Sequence, residues 1–265
     1  MPPKLDLDIP SLARHIATKG PHKVLSTPRR IRLLLGGSYI ADTTSAKFVW
    51  EHPYYPQYYL PQSAFGEKSV KKGQDVEVDG KKVATLWALE SGEKKTEEVV
   101  AFEDGLEGKG KDVAGYVKVA FGAVDTWLEE DLPIAIHPKD PYKRIDILPS
   151  LRPITIRLSG AILAHTTTSY HLYETGLPVR YYMPLTAVDQ SLLRPSATRT
   201  GCPYKGEAEY YSLVIEGKEY PDLVWYYSRP TVECAAIQGM VCFYNEKVEV
   251  EVDGKKEERE TTPWS

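Results

Sequence analysis

Short apolar runs alternate with glycine-bearing turns along most of the chain. Ile31–Leu35 and Ser38–Ala41 flank Gly36-Gly37, which predicts two strands joined by a two-residue hairpin. Phe48–Trp50 and Tyr58–Leu60 read as a third and a fourth strand. The same order then returns. Ile154–Leu158 and Ala161–Ala164 flank Ser159-Gly160, and His171–Tyr173 and Arg180–Met183 follow. Between Ile31–Pro61 and Ile154–Pro184, an ungapped offset of 123 makes ten of 31 positions identical, among them Gly37/Gly160, Glu51/Glu174, Tyr58/Tyr181 and Tyr59/Tyr182. A weaker register at an offset of 124 aligns Ala84–Leu89 with Ala208–Leu213. A repeat of this length predicts two copies of one domain and not a stacked array. The expectation is a mainly β protein built by internal duplication.

The pattern divides the chain further. Residues 1–27 form a leader, in which Leu12, Ile16 and Ala17 after Pro10-Ser11 predict a short N-terminal helix. The first repeat spans 28–133, a connector 134–150, the second repeat 151–254 and a charged tail 255–265. Gly66–Gly80 and Glu90–Lys111 are rich in Lys, Glu and Gly, so they are expected to be mobile hairpin tips. Val124–Leu128 suggests a short helix. The connector carries enough apolar and aromatic residues to pack against one or both repeats.

Composition narrows the function classes. With 33 basic and 37 acidic residues the net charge is −4, so no polybasic surface argues for a nucleic-acid partner. No apolar run approaches the roughly 18 residues of a membrane span, and no signal segment opens the chain. Cys202, Cys234 and Cys242 make neither a disulfide framework nor a paired metal spacing. The six histidines form no HxH or HExxH pattern. The expected setting is cytoplasmic, with no metal and no cofactor, as a monomer or homodimer.

Where the copies differ, chemistry is the better suspicion. Thr200-Gly-Cys-Pro-Tyr-Lys-Gly-Glu207 stands in the second repeat where the first has Glu77–Val83, without cysteine or tyrosine. Arg180 stands where the first repeat has Gln57. An arginine beside tyrosines suits an anionic ligand, because its planar fork donates two parallel hydrogen bonds. The candidate catalytic residues are therefore Arg180, Tyr182, Cys202, Lys205 and Glu246. Glu174, Tyr181, Arg199, Tyr204, Trp225 and Asn245 are candidate ligand-binding residues. Strand alternation is expected to bury one of Tyr181 and Tyr182 and expose the other. Trp225-Tyr226-Tyr227 offers an aromatic wall.

The ordered motifs Glu174–Tyr182, Thr200–Gly206 and Phe243–Lys247, with His137–Asp146 between the repeats, resemble the domain-of-unknown-function family numbered 427. The resemblance covers about residues 28–254. It implies two tandem β-tent-like domains, similar in outline to methionine sulfoxide reductase B and to the thalidomide-binding domain of cereblon. The reductase-like zinc cysteines are absent, and the first repeat departs at the Cys-Pro-Tyr-Lys-Gly position, so its own site is expected to be degenerate. The family sometimes carries the label nucleotidyltransferase. After Gly37-Ser38, however, the chain offers Asp42 and Glu51 and no Asp-x-Asp; the one such motif is Asp6-Leu7-Asp8 in the leader. The leading expectation is a metal-independent enzyme of lyase, isomerase or hydrolase type. It would act by acid–base chemistry on a small anionic or ring-containing molecule in a cleft of the second repeat. A binding module with an aromatic cage is the alternative, and nucleotide transfer the weaker one.

Overall fold

The computed structural model describes residues 7–259 and 261. The chain is mainly β and splits into two units between Asp140 and Pro141. In the first lobe the strands are β1 (Lys23–Ser26), β2 (Ile31–Leu35), β3 (Ser38–Thr43), β4 (Lys47–Trp50) and β5 (Gln57–Pro61). They are followed by β6 (Val70–Val78), β7 (Lys81–Ser91), β8 (Lys94–Phe102), β9 (Tyr116–Val119), β10 (Thr126–Glu129) and β11 (Leu132–Ile134). The second lobe has β12 (Ile145–Ser150), β13 (Ile154–Leu158), β14 (Ala161–Thr166), β15 (Ser169–Glu174) and β16 (Arg180–Tyr182). Then come β17 (Leu193–Cys202), β18 (Gly206–Ile215), β19 (Lys218–Tyr226), β20 (Val241–Phe243), β21 (Glu249–Val252) and β22 (Lys255–Lys256).

The duplication is visible in the pairing register. Ile31 faces Thr43 and Ile154 faces Thr166, each hairpin with a bulge at the same place. Phe48 pairs with Tyr58 as His171 pairs with Tyr181. Both hairpins turn through two consecutive left-handed residues, Gly36-Gly37 and Ser159-Gly160, which the tight turn requires. In the first lobe one sheet runs β1-β4-β5-β9-β8-β7-β6 and a second runs β11-β10-β2-β3. The second lobe keeps the order but divides the large sheet, because β16 meets β20 only through a bridge from Met183 to Val241. Each lobe has its own apolar core, with Phe48, Trp87 and Trp127 in the first and Met183, Leu213 and Phe243 in the second.

Helix α1 (Ile9–Lys19) starts where Asp8 accepts the Ser11 backbone N–H at 2.7 Å, and it buries Leu12, Ala13 and Ile16. Asp6, the other half of the leader motif, lies outside the described residues. No helix among the described residues is long and apolar enough to cross a membrane.

Four expectations change. Val124–Leu128 is not helical: Thr126–Glu129 is a strand whose Trp127 turns into the core against β2. The polar segments are not just turns, since Val70–Val78 and Lys94–Phe102 are long strands. Their polar residues face outward while backbone pairing holds them, so low hydrophobicity did not mean loop. The repeat reaches beyond the expected bounds, because β1 in the leader pairs with β4 as β12 in the connector pairs with β15. At the other end, Lys255-Lys256 pairs with β21, so the tail begins as a strand. Residues 260 and 262–265 of that tail lie outside the described residues.

Candidate functional site

Glu174 ends β15 and is buried, so its carboxylate needs cationic partners. Lys205 supplies one by an ion pair to Oε2, and Lys143 from the connector reaches Oε1 at 3.1 Å. Burial alone would raise the Glu174 pKa. Lys205 and then Lys143 outweigh that and hold it below the usual carboxylate value. Burial likewise pushes Lys205 down, but Cys202 and Glu174 hold it above the usual lysine range. The ammonium is therefore a fixed cation and not a general base. Cys202 lies half-buried at the end of β17, and Tyr204 is half-buried in the turn that follows. The Lys143 ammonium stands 5.7 Å from the Tyr204 ring centre. Gly206 closes this turn at a φ of +102°, where a Cβ would meet the Arg229 carbonyl at 3.0 Å. Only glycine lets the turn lie so close to Pro230, which fixes Lys205 beneath it.

Arg180, on β16, is occupied elsewhere. Its two terminal nitrogens donate to the two Glu246 oxygens at 2.7 Å each, and that carboxylate is 1% exposed. The guanidinium also covers the Trp225 ring at 5.5 Å. It already has the partner that an anionic ligand would have supplied, so Arg180 and Glu246 form a buried structural clamp. Trp225 is not part of an aromatic cage. It is packed in the core, with its indole N–H donating to the Tyr182 hydroxyl at 3.0 Å. Burial raises the Tyr182 pKa well above the usual phenol value, which removes it as a base. Tyr181 and Tyr182 are both buried, because apolar packing covers both faces of the short strand.

The remaining candidates lie apart from Lys205. Arg199 stays on the β17 surface, bonded to the Ser196 and Thr198 carbonyls and paired with Glu209 at 3.2 Å. Asn245 donates to the Val179 carbonyl at 2.9 Å, and Tyr181 donates to Glu257 at 2.6 Å. Beside them runs a groove with an apolar floor of Pro178, Val179, Val248 and Val250. Asn245, Glu246, Glu257, Glu258 and Arg259 complete its wall.

The first lobe holds a polar cluster that the sequence reading missed. Glu51, the counterpart of Glu174, takes the Lys118 ammonium at 2.8 Å and the Tyr59 hydroxyl at 3.1 Å. Lys118 comes from β9, where it faces Tyr59 across the sheet. Both copies thus bury a Glu–Lys pair at the same place, with the cation drawn from strand β9 in the first and from the turn after β17 in the second. The doubled Glu51/Glu174 was a signal for this. The cation was not, since Lys118 has no lysine counterpart in the second lobe. Asp42, meanwhile, is bonded to Arg30 at 2.8 Å, apart from Glu51 and its lysine. No group of three or more His, Cys, Asp or Glu among the described residues is arranged to hold a metal ion.

Ser169 and His171 were also missed. They replace Ala46 and Phe48 of the first lobe, and Ser169 Oγ and His171 Nε2 are buried without a hydrogen-bond partner. Burial, then Arg152, holds the His171 pKa below 6.5, so the fold favours the neutral ring. The unfolded chain takes up the proton first, so stability is lost as the pH falls below about 6.5. His171→Phe, which restores the residue of the first lobe, is expected to raise second-lobe stability by roughly 1–3 kcal/mol. It also flattens the decline between about pH 7 and 5. Urea midpoints at several pH values test this; an unchanged slope in the variant would exclude His171 as the cause.

No curated protein matches this chain. The family described as a domain of unknown function, DUF427, matches residues 23–130 and again 146–254, which are the two lobes. This chain belongs to the DUF427 family and carries its domain twice.

Proposed function

We propose that the second lobe is an acid–base catalyst that acts without a metal on a small anionic or carbonyl-containing molecule. The observation that supports this reading most is the charged Lys205, its side chain 12% exposed, held between the Glu174 carboxylate and the half-buried Cys202. Clusters of buried, mutually perturbed ionisable groups concentrate at functional sites. Lys205, with Lys143, stabilises negative charge on the ligand oxygen. Cys202 moves the proton, with Tyr204 beside it. Arg180, Glu246 and Tyr182 support these groups from the core. The free thiols suit a reducing, cytoplasmic setting.

Truncating Lys205 breaks a buried ion pair, so lost activity in that variant would be confounded by lost stability. Cys202→Ser and Tyr204→Phe are gentler probes. Wild type incubated with a cellular metabolite extract is expected to deplete at least one small molecule, followed by mass spectrometry. Cys202→Ser is expected to slow that depletion by about 10²–10⁴-fold with an unchanged melting profile. Depletion at the wild-type rate by Cys202→Ser, or none by the wild type, would remove the catalytic reading.

A further inference from the structure

Two of the three cysteines meet at one turn of the second lobe. Cys202 ends β17 opposite Gly206, and strand alternation puts its side chain on the face that carries Thr200, Ala208 and Tyr210. The Thr200 and Tyr210 hydroxyls lie 2.6 Å apart across that face. Ala208 and Tyr210 belong to the same apolar cluster as Cys234, so Cys202 turns toward Cys234. The segment after β19 folds onto this turn. Gly206 bridges to Pro230, the Thr231 N–H donates to the Lys205 carbonyl at 3.1 Å, and the Cys234 thiol donates to the Tyr204 carbonyl at 3.6 Å. The Lys205 ammonium interacts with both thiols, more strongly with Cys202. The first lobe has neither cysteine. There the Ala114 N–H bonds the Lys111 carbonyl as the Gln238 N–H bonds that of Ala235, which sets Gly110 against Cys234. A Cβ at Gly110 would stand 3.0 Å from the Ile16 carbonyl of α1. Val78 holds the place of Cys202. Helix α1 thus covers this turn in the first lobe, whereas no α-helix is present among the described residues of the second.

We propose that Cys202 and Cys234 are a redox-active dithiol, which small hydroperoxides oxidise to a disulfide within the chain. Cys202 is half-buried and Cys234 fully buried, so Cys202 meets the peroxide first. Its sulfur takes one peroxide oxygen as the O–O bond breaks, and the thiol proton leaves with the other oxygen as an alcohol, or as water from hydrogen peroxide. Cys202 is then a sulfenic acid, oxidised by two electrons. The Cys234 sulfur next forms the S–S bond, the S–O bond breaks, and the hydroxide departs with the Cys234 proton as water. Lys205 sets a fixed positive charge beside both sulfurs, which favours departure of an oxygen that takes up negative charge. Small thiols reduce the pair again by exchange. Cys242 takes no part: its thiol rests on the Phe243 carbonyl in the core, and burial pushes it up to about 12. The disulfide withdraws Cys202 from the proton transfer proposed above, so oxidation is expected to stop that activity. The cross-link itself does not rest on that reading.

Hydrogen peroxide is the probe, with the whole chain read by mass spectrometry and then by non-reducing peptide mapping with fragmentation. The treated wild type is expected to lose two hydrogens per chain and to show one bond, between Cys202 and Cys234. Iodoacetamide added after denaturation is then expected to label Cys242 alone, and dithiothreitol to restore labelling of the other two. Cys234→Ala is expected to stop at the Cys202 sulfenic acid, which dimedone captures, and Cys202→Ser to form no disulfide. The wild-type mapping does not depend on either variant folding. A cross-link that forms while metabolite depletion is never seen upholds the dithiol and sinks only the acid–base reading. A bond from Cys202 to Cys242, a bond between two chains, or three labelled thiols after peroxide treatment overturns the proposal.

Discussion

Glu246→Ala is expected to destabilise the second lobe by about 3–5 kcal/mol, the range for removing one partner of a buried ion pair. The Glu246 side chain is 1% exposed and that of Arg180 11%, so the stranded guanidinium has no easy route to water. Trp225 beneath it offers only a cation–π contact, worth about 0.5–2 kcal/mol, which cannot replace two charge-assisted hydrogen bonds. Adding Arg180→Met to this variant removes the orphaned charge and is expected to restore much of the loss. Urea unfolding of the single and double variants measures the coupling. If the double variant is no more stable than Glu246→Ala alone, the guanidinium was not the source of the cost.

The second large effect compares the two copies directly. Glu174→Ala strands two ammonium groups, Lys205 and Lys143, whereas Glu51→Ala strands only Lys118. All of these side chains are largely buried, so neither carboxylate's loss is screened away by solvent. Glu51→Ala is expected to cost about 3–5 kcal/mol in the first lobe, and Glu174→Ala at least as much in the second. Because the Glu174 pKa is depressed in the fold, its contribution is present above about pH 4.5 and is lost as the pH falls through the folded value. Tryptophan fluorescence during urea unfolding, read at about pH 7 and again below pH 4, checks both size and direction. Equal midpoints for Glu174→Ala and wild type at neutral pH would mean that the carboxylate does not anchor the two lysines.

Much of this protein was legible in the order of its residues. The offset of 123 reports a duplicated pairing register, because a strand slipped by one residue would turn its core face to solvent. The helix at Ile9–Lys19 could be read from Leu12 and Ile16 after Pro10-Ser11, since those residues have to share one face. The long polar strands could not be read, because β6 buries little and is held by backbone hydrogen bonds that carry no side-chain signature. Within the site, the Cys202–Lys205 motif was marked by the contrast between the copies, and Glu174 by its repetition as Glu51. Lys143 and Lys118 were not, since each meets its glutamate only through chain folding across a distance in sequence.

The sequence by itself determined the strand periodicity, the turns at Gly37 and Gly160, and the presence of one domain twice, all local or repeated patterns. Tertiary structure alone decided that Arg180 is committed to Glu246 and that Trp225 belongs to the core. It also decided that Trp127 stacks on Phe121 in the first core at the position where the second core packs Val250. The physical reason is that a charged or aromatic side chain takes its role from its neighbours, and those neighbours are set by how the sheets pack.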